Sequence, residues 1–192
     1  MAAKDFGADS LGFNFYVNSP RYVEPRKVRT IVNKLGRMEL VGVFVNSSNE
    51  DVASTVEISG INTVQFHGDE SPEYVSKFRS ASCVRVIKAL RVSDHFDPGA
   101  AAETGSDAIL LDGYSPAARG GTGTVVNWAM ARTVKAVVKQ LYLAGGLTPE
   151  NVAKAIRSVE PYAVDVASGV ESRPGKKDLA LMESFIKNAK NA

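Results

Sequence analysis

LAGGLTPENV, residues 143–152, and VDVASGVESRPGKKD, residues 164–178, each close a short apolar run with a small-residue turn. Backbone amides approach a phosphate closely only where side chains are absent, and the start of a helix adds favourable polarity. The position of such turns along the chain separates two architectures that both alternate strand and helix. An open nucleotide-binding sheet carries its glycine signature after the first strand. Here the glycine-rich turns follow the later strands, at GGTG (Gly120 to Gly123), AGG (Ala144 to Gly146) and Ser168-Gly169. Barrel enzymes bind phosphate with the loops after their last two strands. The chain is therefore read as α/β, a (β/α)₈ or TIM barrel, with an anion expected at Gly145, Gly146, Ser168 and Gly169.

Working outward, seven apolar runs read as strands: LGFNFY from Leu11, LVGVFV from Leu40, TVQF from Thr63, VRVIKAL from Val84, AILL from Ala108, LYLA from Leu141 and AVDVA from Ala163. They are nearly continuous in apolar character, as strands covered on both faces should be. Helical stripes lie between them. Val28, Ile31, Val32 and Leu35 form one, and Tyr74, Val75 and Phe78 begin another. Ser71-Pro72 and Thr148-Pro149 predict a capping hydroxyl before a proline at the first helical position. A last helix is predicted to open at Asp178 and to bury Leu179, Met182, Phe185 and Ile186. No linker composition interrupts the 192 residues, so residues 1–192 are taken as a single domain.

The bulk properties exclude several classes. With 44% apolar and 23% charged residues the chain can bury a core. A net charge of +2 spread over many acids and bases gives no footprint for nucleic acid. One cysteine, Cys83, leaves no disulfide and no multi-cysteine metal site, and fits a reducing compartment. No apolar run of about 18 residues suggests a membrane span, and MAAKDFGADS lacks a signal peptide's apolar stretch. The expectation is a cytoplasmic protein with no metal, acting on a small molecule rather than on nucleic acid or a membrane.

In such folds functional residues gather at the C-terminal ends of the parallel strands. The polar residues there are Arg21 in the first loop, Gln65 and His67 closing TVQFH, Lys88, Asp112 closing AILLD, and Asp165 with Ser168 in VDVAS. Each has a bland reading beside the functional one. Asp112 could cap its loop, Asp165 could pair in a salt bridge, His67 could be a satisfied strand-end histidine, and Lys88 reads more readily as structural than as a Schiff base. Cys83 precedes its strand, so it should lie at the opposite rim, about 20 Å from the active face.

Together, LGFNFYVNSPRYV, TVQFHGDES, AILLDGYSPAARGGTG, LAGGLTPENV and VDVASGVESRPGKKD resemble, in order and spacing, the phosphoribosylanthranilate isomerases of tryptophan biosynthesis. The resemblance covers essentially the whole chain. It implies an Amadori rearrangement without cofactor, in which a phosphorylated aminoaldose becomes the 1-deoxyribulose phosphate, by a monomer or homodimer. It assigns Asp112 as the general acid. Arg21 and Asp165 would hold the anthranilate carboxylate and amino group, and Gln65 and His67 would line the mouth. In that family the base is a cysteine at the end of the first strand, in a Lys-Ile-Cys-Gly motif that these residues do not contain. The resemblance thus aligns the seven strands with strands two to eight, matches AAKDFGADS with the tail of the family's first helix, and expects one βα unit minus its last turn, on the order of 20 residues, to be missing. Two alternatives stand beside it. Another sugar-phosphate barrel, an indoleglycerol-phosphate synthase or a ribulose-phosphate epimerase, would need lysine and glutamate or metal-binding histidines, and only His67 and His95 are present. A non-catalytic remnant would bind phosphorylated ligands without turnover.

Overall fold

Each apolar run folds as a strand, in a computed structural model that describes residues 1–93, 96–113 and 127–192. All seven strands are parallel where their register is defined, and they follow one another in chain order, β1 to β7. The chain divides into two compact units, Met1–Lys88 with Thr104–Asp107, and Ala89–Glu103 with Ala108–Ala192.

The first unit begins with a short helix α1 (Ala2–Asp5) and runs through β1 (Ser10–Asn14), α2 (Pro25–Leu35), β2 (Glu39–Phe44), α3 (Asn49–Ser59), β3 (Thr63–Phe66), α4 (Pro72–Ala81) and the start of β4 (Arg85–Val92). Its core is Val28, Leu35, Phe44, Val52, Val64, Phe66, Val75, Phe78 and Val86, with Phe66 meeting Tyr74 and Phe78 edge to face. Helix α4 starts as its sequence predicts, since the Ser71 hydroxyl accepts from the Tyr74 N–H and Pro72 occupies the first turn. The α2 stripe is narrower than expected. Val28 and Leu35 are fully buried, while Ile31, at the stripe's edge, is 36% exposed.

The second unit contains β5 (Ala108–Gly113), α5 (Trp128–Lys135), β6 (Leu141–Leu143), α6 (Val152–Val159), β7 (Ala163–Val164), an antiparallel hairpin of β8 (Glu171–Arg173) and β9 (Lys176–Lys177), and α7 (Leu179–Lys190). Ile109, Leu111, Ala131, Val134, Leu143, Val152, Ala155, Val159 and Phe185 form its core. Three expectations need correction. Helix α6 opens at Val152, not at Pro149: Asn151 is the residue before the helix, and its side chain accepts from the Thr148 N–H, which holds residues 148–151 as a turn. Strand β7 stops at Val164, one residue before Asp165. Leu179 is 58% exposed, lying in the first turn of α7 directly after the exposed β9, so that helix is anchored by Phe185 instead. The Asp178 cap of α7 is as expected, accepting from the Ala180 and Leu181 N–H groups. The GGTG turn and His95 fall outside the described residues.

Candidate functional site

In the second unit the strand register brings the acids level. Leu111 pairs with Leu143 and Leu143 with Val164, so Asp112, Ala144 and Asp165 form the next row. The Ala144 N–H donates to the Leu111 carbonyl at 2.8 Å and the Asp165 N–H to the Leu143 carbonyl at 2.9 Å, which continues the ladder past the last strand residues. Neighbouring strands lie about 4.8 Å apart, so the two strand spacings from Asp112 through Ala144 to Asp165 amount to about 10 Å. Asp112 is 6% exposed at the end of a strand whose six residues are all buried, and one of its oxygens accepts from the Gly113 N–H at 2.9 Å. Asp165 is exposed.

Both small-residue turns open from that row. Gly145 and Gly146 have φ of 78° and 63°, left-handed values that a side chain disfavours. Their loop is fastened by Asn151, whose side chain donates to the Gly146 carbonyl and accepts from the Thr148 N–H, each at 2.9 Å. Ser168, Gly169 and Val170 form a single 3₁₀ turn after β7. A Cβ on Gly169 would collide with the Leu147 carbonyl oxygen, so the two turns touch, and only glycine permits the contact. Lys177 on β9 donates to the Ala167 carbonyl at 2.7 Å, and the Asp178 N–H donates to the Val170 carbonyl at 2.9 Å.

In the first unit Gln65 is buried on β3, and its side-chain amide lies 2.8 Å from Nδ1 of His67, just past the strand end. Lys88, aligned with Phe66 across β3 and β4, is a structural lysine. Its ammonium reaches the Gly68 carbonyl at 2.8 Å and Glu70 at 2.9 Å, with side chains 6% and 2% exposed. Glu70 also accepts from the backbone N–H groups of Asn46 and Gly68. One buried ion pair thus ties the loops after β2 and β3 to β4. Nearby, burial and the carboxylates of Glu70, Glu50 and Asp51 push the Tyr74 phenol up to about 12, and its hydroxyl donates to the Ser47 carbonyl at 2.7 Å. Arg21 is half-buried in the loop after β1, with its N–H on the Ser19 hydroxyl. Cys83 is exposed two residues before β4, at the rim opposite the strand ends. It borders an open hollow of about 520 Å³ whose arginines are engaged, Arg79 with Asp107 and Arg85 with Glu39.

Residues 1–188 match the family model for N-(5'-phosphoribosyl)anthranilate isomerase. The chain belongs to that family. It is 46% identical to the N-(5'-phosphoribosyl)anthranilate isomerase of Trichlorobacter lovleyi, over all of this chain and 92% of that protein. The phosphoribosyl anthranilate isomerase of Thermotoga maritima superposes with a TM-score of 0.91 at 40% identity, covering 100% of this chain and 92% of that one. An isomerase crystallised with reduced 1-(o-carboxyphenylamino)-1-deoxyribulose 5-phosphate gives 0.87 at 38% identity, again covering 100% and 92%. The architecture is therefore that of the TIM-type isomerases, and the activity is isomerisation of phosphoribosylanthranilate in tryptophan biosynthesis.

Membership of the N-(5'-phosphoribosyl)anthranilate isomerase family removes the other sugar-phosphate barrels as readings of this chain and disfavours the remnant. Within the second unit the structure brings together Asp112, Asp165, Gly145, Gly146, Ser168 and Gly169. Within the first it joins Gln65 to His67. Glu70 and Lys177 went unnoticed in the sequence, since a charged residue in a polar loop gives no periodic signal. Among the described residues no group of three or more His, Cys, Asp or Glu could hold a metal, and no helix is long and apolar enough to cross a membrane.

Proposed function

We propose that Asp112 is the general acid of the rearrangement and that the turns at Gly145-Gly146 and Ser168-Gly169 bind the substrate phosphate. The row Asp112, Ala144, Asp165 beside two touching small-residue turns carries this reading, because it sets an acid, a second carboxylate and an anion cradle on one edge. In the first step Asp112 gives its proton to the furanose ring oxygen as the bond from that oxygen to C1' breaks. The anthranilate nitrogen lone pair then forms the C=N bond of a protonated Schiff base. A base removes the C2' proton, the electrons of that bond move to make an enolamine, and tautomerisation leaves the C2' ketone. Asp165 would accept from the anthranilate amino group. Arg21 would meet the anthranilate carboxylate, which its planar fork matches bidentately. Gln65 and His67 would line the mouth.

The reading aligns β1 to β7 with strands two to eight of an eight-stranded barrel. It takes the base from a cysteine closing the first strand, outside these 192 residues. Cys83 does not suit that task, exposed as it is ahead of β4. A cytoplasmic location follows from the same reading and rests on the single free thiol. A homodimer is as compatible with it as a monomer. The test is Asp112→Asn assayed for turnover and for affinity toward the reduced product analogue. Loss of turnover with affinity retained supports the assignment, and turnover like the parent's rejects it.

A further inference from the structure

We propose that Lys177 is a positioning residue for phosphate binding, holding the Ala167 carbonyl so that the Ser168 N–H is aimed at the anion. The inference rests on the placement of the phosphate at the Ser168-Gly169 turn. A trans peptide is planar and sets its C=O and N–H groups in opposite directions. The Ala167 carbonyl accepts from the Lys177 ammonium at 2.7 Å, so the Ser168 N–H in the same peptide plane points away from Lys177. Were that peptide to rotate, a carbonyl oxygen would face the phosphate in place of a donor. The pin is itself held. Lys177 pairs with Glu171 across the hairpin, and the Glu171 carboxylate, whose side chain is 4% exposed, lies 3.3 Å from the ammonium. At the far end of the turn the Asp178 N–H holds the Val170 carbonyl at 2.9 Å. Gly169 between them rests against the Leu147 carbonyl. The three-residue turn is thus clamped at both ends by consecutive residues of one segment. The Lys177 side chain is 39% exposed, so its removal opens no core cavity; what it removes is the hold on the Ala167 carbonyl and the cation beside Glu171.

The experiment is titration calorimetry with reduced 1-(o-carboxyphenylamino)-1-deoxyribulose 5-phosphate and with its dephosphorylated counterpart, on the parent chain, Lys177→Met, Lys177→Arg and Gly169→Val. Lys177→Met is expected to weaken the phosphorylated ligand about tenfold, the scale of one charge-assisted contact, and the dephosphorylated one less than about twofold. Lys177→Arg, which still donates to the carbonyl, is expected to recover most of the loss. Should Lys177→Met fail to fold, Lys177→Leu takes its place with the same expectation. Equal weakening of both ligands, or none, would overturn the role of Lys177. If Gly169→Val also leaves the preference for the phosphorylated ligand unchanged, the phosphate assignment itself falls. Loss of that preference in Gly169→Val alone removes only the positioning role.

Discussion

Asp112 lies one residue from the end of a strand that is buried at every position, where a carboxyl must be hydrogen-bonded, and one of its oxygens accepts from the Gly113 N–H. The register sets it level with the small-residue turns, which is why it is proposed as the general acid. Its replacement by asparagine keeps the shape and removes the transferable proton. Turnover by Asp112→Asn should fall by about 10²–10⁴-fold, with affinity for the reduced product analogue changed by less than about threefold. Steady-state kinetics beside calorimetry checks both halves. Tyr74 offers a second expectation. Its phenol is raised from 10.0 to about 12 in the folded chain, so the folded state keeps a proton that the unfolded state releases first. Stability from this group is complete below pH 10 and is lost as pH rises toward 12. Urea midpoints across that window should fall more steeply for the parent than for Tyr74→Phe, and parallel curves would remove the effect. Single residues were unevenly legible in the sequence. Asp112 stood out as an acid after four apolar residues, whereas Asp165 was read inside its strand and lies one residue past it, exposed, because a short strand's end is set by pairing and not by its letters.

Between elements, the fastenings were the least visible part. The strand runs were legible because burial on both faces demands unbroken apolar character. The start of α6 was not legible because the Asn151 side chain fastens the Gly146–Thr148 loop as a turn ahead of the helix, a contact that the Thr148-Pro149 pair does not signal. The Thr148 hydroxyl holds the Glu150 carboxyl below its ordinary range, and the helix begins three residues after Pro149. The hairpin of β8 and β9 was not anticipated at all, since strands of three and two residues leave no periodicity to detect. The Lys88 and Glu70 pair, which joins the loops after β2 and β3 to β4, involves residues distant in sequence and was equally hidden. Breaking a buried pair by removing one partner strands the other charge. Lys88→Met should cost about 3–5 kcal/mol of stability, while Lys88→Met with Glu70→Leu should cost less than the single change. Chemical denaturation of the two variants is the measurement. A single variant as stable as the parent would show that the pair holds nothing.

Over the whole molecule, chain order was enough to separate a barrel from an open nucleotide-binding sheet, because the glycine turns come late. The strands do appear in chain order. If the base belongs to a first strand outside these residues, the 192-residue chain should turn over phosphoribosylanthranilate about 10³–10⁴-fold more slowly than a version extended by a strand ending in cysteine. The extension should also raise the thermal midpoint, since a barrel lacking a strand has two unpaired edges. Equal kcat/KM for the two would mean that a residue of these 192, His67 first among them, serves as the base. The account depends most on where the phosphate sits. A crystal of this chain with reduced 1-(o-carboxyphenylamino)-1-deoxyribulose 5-phosphate should show phosphate density against the backbone N–H groups of Gly145, Gly146, Ser168 and Gly169. Phosphate density away from those turns, for example among Arg79, Cys83 and Arg85, would contradict it.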